Sequence, residues 1–118
     1  MKRSANAPVA EHWRCDAGSA PVAVIHIPAA LSRPRTFDVD MTLLVRVPEG
    51  GEAWHQLSVE LDGQQQWQRR IPSHAPSDGL DYHCRIRLEP GRALRIRAVA
   101  AVGACSVQQL CVEAREEL

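Results

Sequence analysis

The sequence predicts an all-β domain of about seven antiparallel strands folded into a two-sheet sandwich. Apolar residues recur at every second position over most of the chain after residue 20, the period of a half-buried strand. No stretch of ten or more residues ahead of the tail keeps a helical period. The eight prolines, at 8, 21, 28, 34, 48, 72, 76 and 90, all fall between or at the ends of the alternating runs. Short strands punctuated in this way pack as two sheets over one core.

The segments follow in order. Residues 1–20 read as an N-terminal extension and 21–118 as a single β-sandwich domain. Residues 21–27 are a short apolar run bounded by Pro21 and Pro28. Residues 36–47 place Phe37, Val39, Met41, Leu43, Val45 and Val47 on one face. Residues 55–61 turn Leu57, Val59 and Leu61 inward, and Asp62-Gly63 is a strong hairpin signal. The return strand, 64–71, has two possible registers: a two-residue turn sets Val59 against Gln66, and a three-residue turn sets it against Trp67. The second keeps apolar residues on one face and is the expected one.

The next two runs make the sharpest pattern in the chain. In 80–89, Leu80, Tyr82, Cys84, Ile86 and Leu88 alternate with Asp81, His83, Arg85, Arg87 and Glu89, and after Pro90-Gly91-Arg92 the run 93–102 alternates again. Paired as a hairpin, Leu88 meets Leu94 and Ile86 meets Ile96, which sets Arg87 against Arg95 and Arg85 against Arg97 on the outer face. Like charges opposite one another repel, so such a row requires an acidic neighbour, solvent or an anionic partner. Residues 105–115 close the domain; their apolar phase changes from odd to even numbers across Gln108-Gln109. One extra residue there, a β-bulge, restores the inward phase.

Asp78-Gly-Leu-Asp-Tyr-His-Cys84 resembles the Asp-x-x-x-Tyr-x-Cys corner that opens strand F of immunoglobulin domains. The likeness implies an immunoglobulin-like sandwich, with a jelly roll as the rival topology. It covers these seven residues, and the long strand before it lacks the partner cysteine. A fold of this kind hosts many functions and settles none.

Composition excludes several classes. The chain has 118 residues, enough for one domain with its own core. Fourteen basic and fourteen acidic residues cancel, so no global field draws the chain to nucleic acid or membrane. No leader pattern follows the two basic residues at the start, and no apolar run approaches a membrane span, so the expected compartment is cytoplasmic. Cys15, Cys84, Cys105 and Cys111 show no short paired spacing, and reduced thiols are expected in that compartment. No phosphate loop, metal motif or cofactor signature is present.

Two binding surfaces remain. The first is the Arg85, Arg87, Arg95 and Arg97 face with His83, suited to an acidic protein partner or a second copy of the chain. The second joins Trp54, Trp67 and the 72–79 loop, with His74 and Asp78, as a site for a carbohydrate or another small polar ligand. An enzyme built on Asp81 and His83 needs a third group such as a nucleophile, and the nearby Ser73 and Ser77 are loop residues, so a non-enzymatic binding or assembly module is the expectation. Strands 36–47 and 105–115 as long sheet edges, in a chain whose only lysine is Lys2, further predict a homodimer.

Overall fold

A computed structural model describes residues 9–118. Eight strands form: β1 (His12–Asp16), β2 (Val22–Ile27), β3 (Arg35–Arg46), β4 (Trp54–Leu61), β5 (Gln64–Pro72), β6 (Ser77–Leu88), β7 (Leu94–Gly103) and β8 (Ser106–Glu117). No helix is present among the described residues. The strands make two four-stranded antiparallel sheets, ordered β1-β8-β3-β6 and β2-β7-β4-β5. Of the two topologies left open by the sequence, this is the jelly-roll order, in which chain-distant strands become neighbours.

The alternating pattern builds the core. Phe37, Val39, Met41, Leu43 and Val45 of β3 are wholly buried, facing Leu57 and Val59 of β4 and Ile96 and Ala98 of β7 across the sandwich. The extra residue expected in the last strand is Gln108: Leu44 pairs with Gln109 and Val45 with Val107. The β4–β5 hairpin turns through Asp62 and Gly63, both at positive φ. Its turn is the two-residue one, with Leu61 opposite Gln64. Val59 nevertheless meets Trp67, because a bulge between Val59 and Glu60 adds the residue that the turn does not.

Three expectations are corrected. β6 and β7 are not a hairpin. The Glu89–Arg92 turn, with Gly91 at positive φ, carries the chain from one sheet to the other, and its Gly91 N–H is held by the Ala30 carbonyl at 2.8 Å. The leucines and isoleucines of β6 and β7 bury by facing across the core instead of lying side by side. Residues 12–16 are not outside the domain but form β1, paired with β8 from His12 opposite Arg115 to Asp16 opposite Cys111; residues 1–8 lie outside the described ones. Finally, β3 and β8 are interior strands, and the sheet edges are β1, β6, β2 and β5.

Candidate functional site

The arginine row does not exist as one surface. Arg85 and Arg87 lie on one sheet, Arg95 and Arg97 on the other. Arg85 makes a two-point bond to Glu117 (2.9 and 2.7 Å) and lies 3.9 Å from Asp38. Arg97 shares one nitrogen, Nη1, between the two carboxylate oxygens of Glu60 (3.1 and 3.0 Å). Arg87 pairs with Glu89 at 2.6 Å, both exposed. Among the described residues, no carboxylate lies within ion-pair distance of Arg95. Asp38 also approaches His83 at 3.4 Å. Placing the strands in separate sheets gives three of the four guanidinium groups a carboxylate of their own, so the repulsion never arises.

The tryptophans separate too. Trp67 points between the sheets and stacks on Tyr82, with centroids 4.6 Å apart and planes at 26°. β5 and β6 are the adjacent free edges of the two sheets, and this stack closes the gap between them. Trp67 is thereby packed against Tyr82, on the opposite face of the sheet from Trp54. Burial raises the Tyr82 pKa above its usual value. Tyr82 stands in the middle of a long strand, not at a corner between strands.

Trp54 opens β4 on the outer face of its sheet, opposite Gly103 of β7 and Pro72 of β5. The indole lies against the backbone of Gly103: a Cβ there would run into Nε1 and Cε2 of the ring. The Arg70 guanidinium lies over the indole, 3.7 Å from its centroid, and donates to Gln56 Oε1 at 3.0 Å. Ser58 and Gln68, one pair further along, are joined at 2.9 Å. Trp54, Arg70, Pro72, Ser73 and the Gly51–Ala53 approach to β4 enclose an open cleft of about 500 Å³.

Behind the cleft is a buried polar chain. His55 is 0% exposed. Its Nε2 lies 3.0 Å from the Gly79 carbonyl and its Nδ1 2.5 Å from Ser73 Oγ. A carbonyl accepts only, so Nε2 carries the proton and Nδ1 accepts from the Ser73 hydroxyl. Ser73 Oγ is 3.8 Å from Cys105 Sγ, which donates to the Trp54 carbonyl at 3.3 Å. The chain ties β4, the 73–76 loop and the β7–β8 turn into one rigid wall. A hydroxyl backed by a histidine invites comparison with an acyl-transfer dyad. The two amides beside it are spent, however: Ser73 N–H donates to the Ala53 carbonyl (2.8 Å) and His74 N–H to Asp78 Oδ2 (3.0 Å). Neither is left to hold an oxyanion.

His74 and Asp78 sit beside this wall, their side chains 3.2 Å apart. Asp78 accepts from the Gly79 and His74 amides, and these bonds hold its carboxyl below the usual carboxylate range. They order the loop. A second open cleft, about 760 Å³, lies across Cys105, between Val47-Pro48-Glu49, Pro76 and Ser106. Among the described residues no cluster of metal-ligating side chains is found.

No protein-family model and no curated protein matches the chain. Among solved structures, dimeric latent PorU from Porphyromonas gingivalis overlays with a TM-score of 0.56 at 12% identity, covering 91% of this chain and 12% of that one. The likeness is one of fold. The chain spans about an eighth of the PorU chain. The CBM35 from Cellvibrio japonicus Abf62 overlays at 0.44 (16% identity, 77% of this chain and 63% of that one). A family 35 carbohydrate binding module from an environmental isolate overlays at 0.42 (18% identity, 81% and 66%).

Proposed function

We propose that the chain is a non-enzymatic binding module that holds a small polar ligand, a carbohydrate foremost, in the cleft between Trp54, Arg70 and Ser73. The observation that carries this is the indole laid flat on Gly103 at the edge of an open cleft, with a guanidinium and a hydroxyl beside it. An apolar ring face with a few convergent polar groups is the usual make-up of a ligand site. The C–H face of a sugar packs on such a ring, while Arg70 offers directional donors to its hydroxyl or carboxylate oxygens.

Arg70 covers the indole in this structure, so a ligand that stacks on Trp54 displaces the guanidinium sideways, within reach to bond the ligand's rim. The side chain is exposed and held by the indole contact and one hydrogen bond to Gln56, each about 0.5–1.5 kcal/mol, which the ligand's own contacts to the ring and the guanidinium offset. The reading oriented on an acidic protein partner loses its surface, because the arginines are divided between sheets and largely neutralised.

The test is a panel of neutral and acidic oligosaccharides titrated against the labelled protein and followed by amide and indole NMR shifts. Shifts are expected at the Trp54 indole, Arg70 Nε and Ser73, with Trp54→Ala weakening binding by roughly tenfold or more and leaving the fold intact. A panel that moves none of these resonances, or that binds Trp54→Ala as well as the native chain, removes the reading.

A further inference from the structure

We propose that the chain forms a two-fold homodimer by antiparallel pairing of β6 with β6 of a second copy. The sheet edges point to this pairing, independently of the cleft. Of the four edge strands, β1 has five residues and β2 six, with Pro21 and Pro28 beside its ends. β5 is broken by the bulge between Val59 and Glu60 and ends at Pro72. Short strands, bulges and prolines are the devices that blunt an edge. β6 is preceded by Pro76 and carries alternating charged side chains, but it is neither short nor bulged. It runs 12 residues, paired without a register shift to β3 along its whole length, and among the described residues nothing pairs with its other side.

Its burial pattern shows a missing neighbour. Tyr82, Cys84 and Ile86 are half-buried, whereas their register partners Met41, Val39 and Phe37 on β3 are 0% exposed.

The occupant is indicated by charge. Antiparallel pairing about a two-fold axis at Cys84 sets residue 81 against 87 and residue 83 against 85 of the other copy. Asp81, which has no ion-pair partner among the described residues, then faces Arg87, twice by symmetry. Among the described residues, Arg87 is otherwise held only by the exposed Glu89. On the inner side Tyr82 meets Ile86 and Leu80 meets Leu88, so apolar residues cover apolar residues in both copies. Opposite charges directly across a sheet attract, and aromatic–β-branched pairs stabilise it. A two-fold interface of this kind is self-complementary and closed.

Light scattering and sedimentation across micromolar concentrations test the proposal. Native protein is expected to dimerise, and Asp81→Arg and Arg87→Asp are each expected to weaken the dimer roughly tenfold, since each turns two attractions into repulsions. Both positions are exposed, so the fold is retained, as circular dichroism would confirm. The decisive step is to mix the two variants. Each repels itself, but the acidic strand of one meets the basic strand of the other, and a one-to-one heterodimer is expected. A short bismaleimide should then link two chains through Cys84 when Cys15, Cys105 and Cys111 are replaced by Ser. A native chain that stays monomeric overturns the proposal, as would an edge taken only by a peptide of another protein. A dimer that ignores both substitutions, or variants that fail to rescue one another, overturns it equally.

Discussion

Gly103 and His55 show how single residues set the shape of the cleft. Trp54 can lie flat only because the position beneath it has no side chain. Gly103→Ala is therefore expected to lever the indole off the sheet, at a cost of about 1–3 kcal/mol from overpacking. Urea titration measures the loss, and a changed Trp54 indole resonance localises it; an unaltered stability and spectrum would show that the ring has room to give. The burial of His55 is legible in the sequence. The residue is in phase with Leu57 and Val59, so the same alternation that turned them inward also buried it. Arg35, two residues before Phe37, and Glu116, two after Ala114, follow the same pattern: 2% and 7% exposed, both in phase with apolar neighbours. A polar residue in an apolar phase is the signal for a buried network. By contrast, nothing in the sequence places Arg70 over Trp54, because that contact depends on which strand lies beside β4.

At the scale of the strand, period and phase were enough. The inward face of β3, the extra residue in β8 and the Val59–Trp67 register all follow from keeping apolar side chains on one side of a pleat. Partner choice does not. The alternation of β6 and β7 is the same whether they pair in one sheet or face each other across two, and chain adjacency favoured the wrong option. Two observations settle the matter in the fold: Leu80 and Leu88 of β6 and Leu94 and Ile96 of β7 bury across the core, and carboxylates stand ready on the true neighbours, Asp38 on β3 and Glu60 on β4. The Trp67–Tyr82 stack joins the two sheets at their shared open side, a long-range pair with no sequence signature. Trp67→Ala and Tyr82→Ala are each expected to cost about 2–4 kcal/mol, as large-to-small changes against a core. A double-mutant cycle should return a coupling of about 0.5–1.5 kcal/mol for the ring pair. Additive losses would mean that each ring packs independently.

Across the whole molecule, one largely buried network fastens the two ends of the described chain. Glu116 accepts from Arg33 and from the Glu11 amide, and Arg35 Nη1 donates to both carboxylate oxygens of Glu11 at 2.8 and 3.0 Å. The bond to Arg33, with the Glu11 amide and the charges of Arg33 and Arg35, holds the Glu116 carboxyl below the usual carboxylate range. A folded-state pKa below the unfolded one stabilises the fold above the unfolded value, about 4.3 for Glu, and the contribution is lost as pH falls through the folded value. Stability measured by urea titration should therefore drop from pH 5 downward, and Glu116→Gln should lower stability at pH 7 while flattening that drop. An equally steep acid profile in the variant would assign the effect to other carboxylates, Asp78 among them. The same network has a geometric consequence. His12 lies opposite Arg115, and the Glu116 amide donates to the Glu11 carbonyl at 2.8 Å, so residues 11–12 and 115–116 leave the fold side by side. β8 runs from that pole to the β7–β8 turn beside Trp54, about 12 residues and roughly 35–40 Å away. Anything joined to either end of the described chain attaches at one pole, and the cleft is held out at the other like the head of a pin. Whatever is attached at that pole stands about the length of β8 away from the cleft.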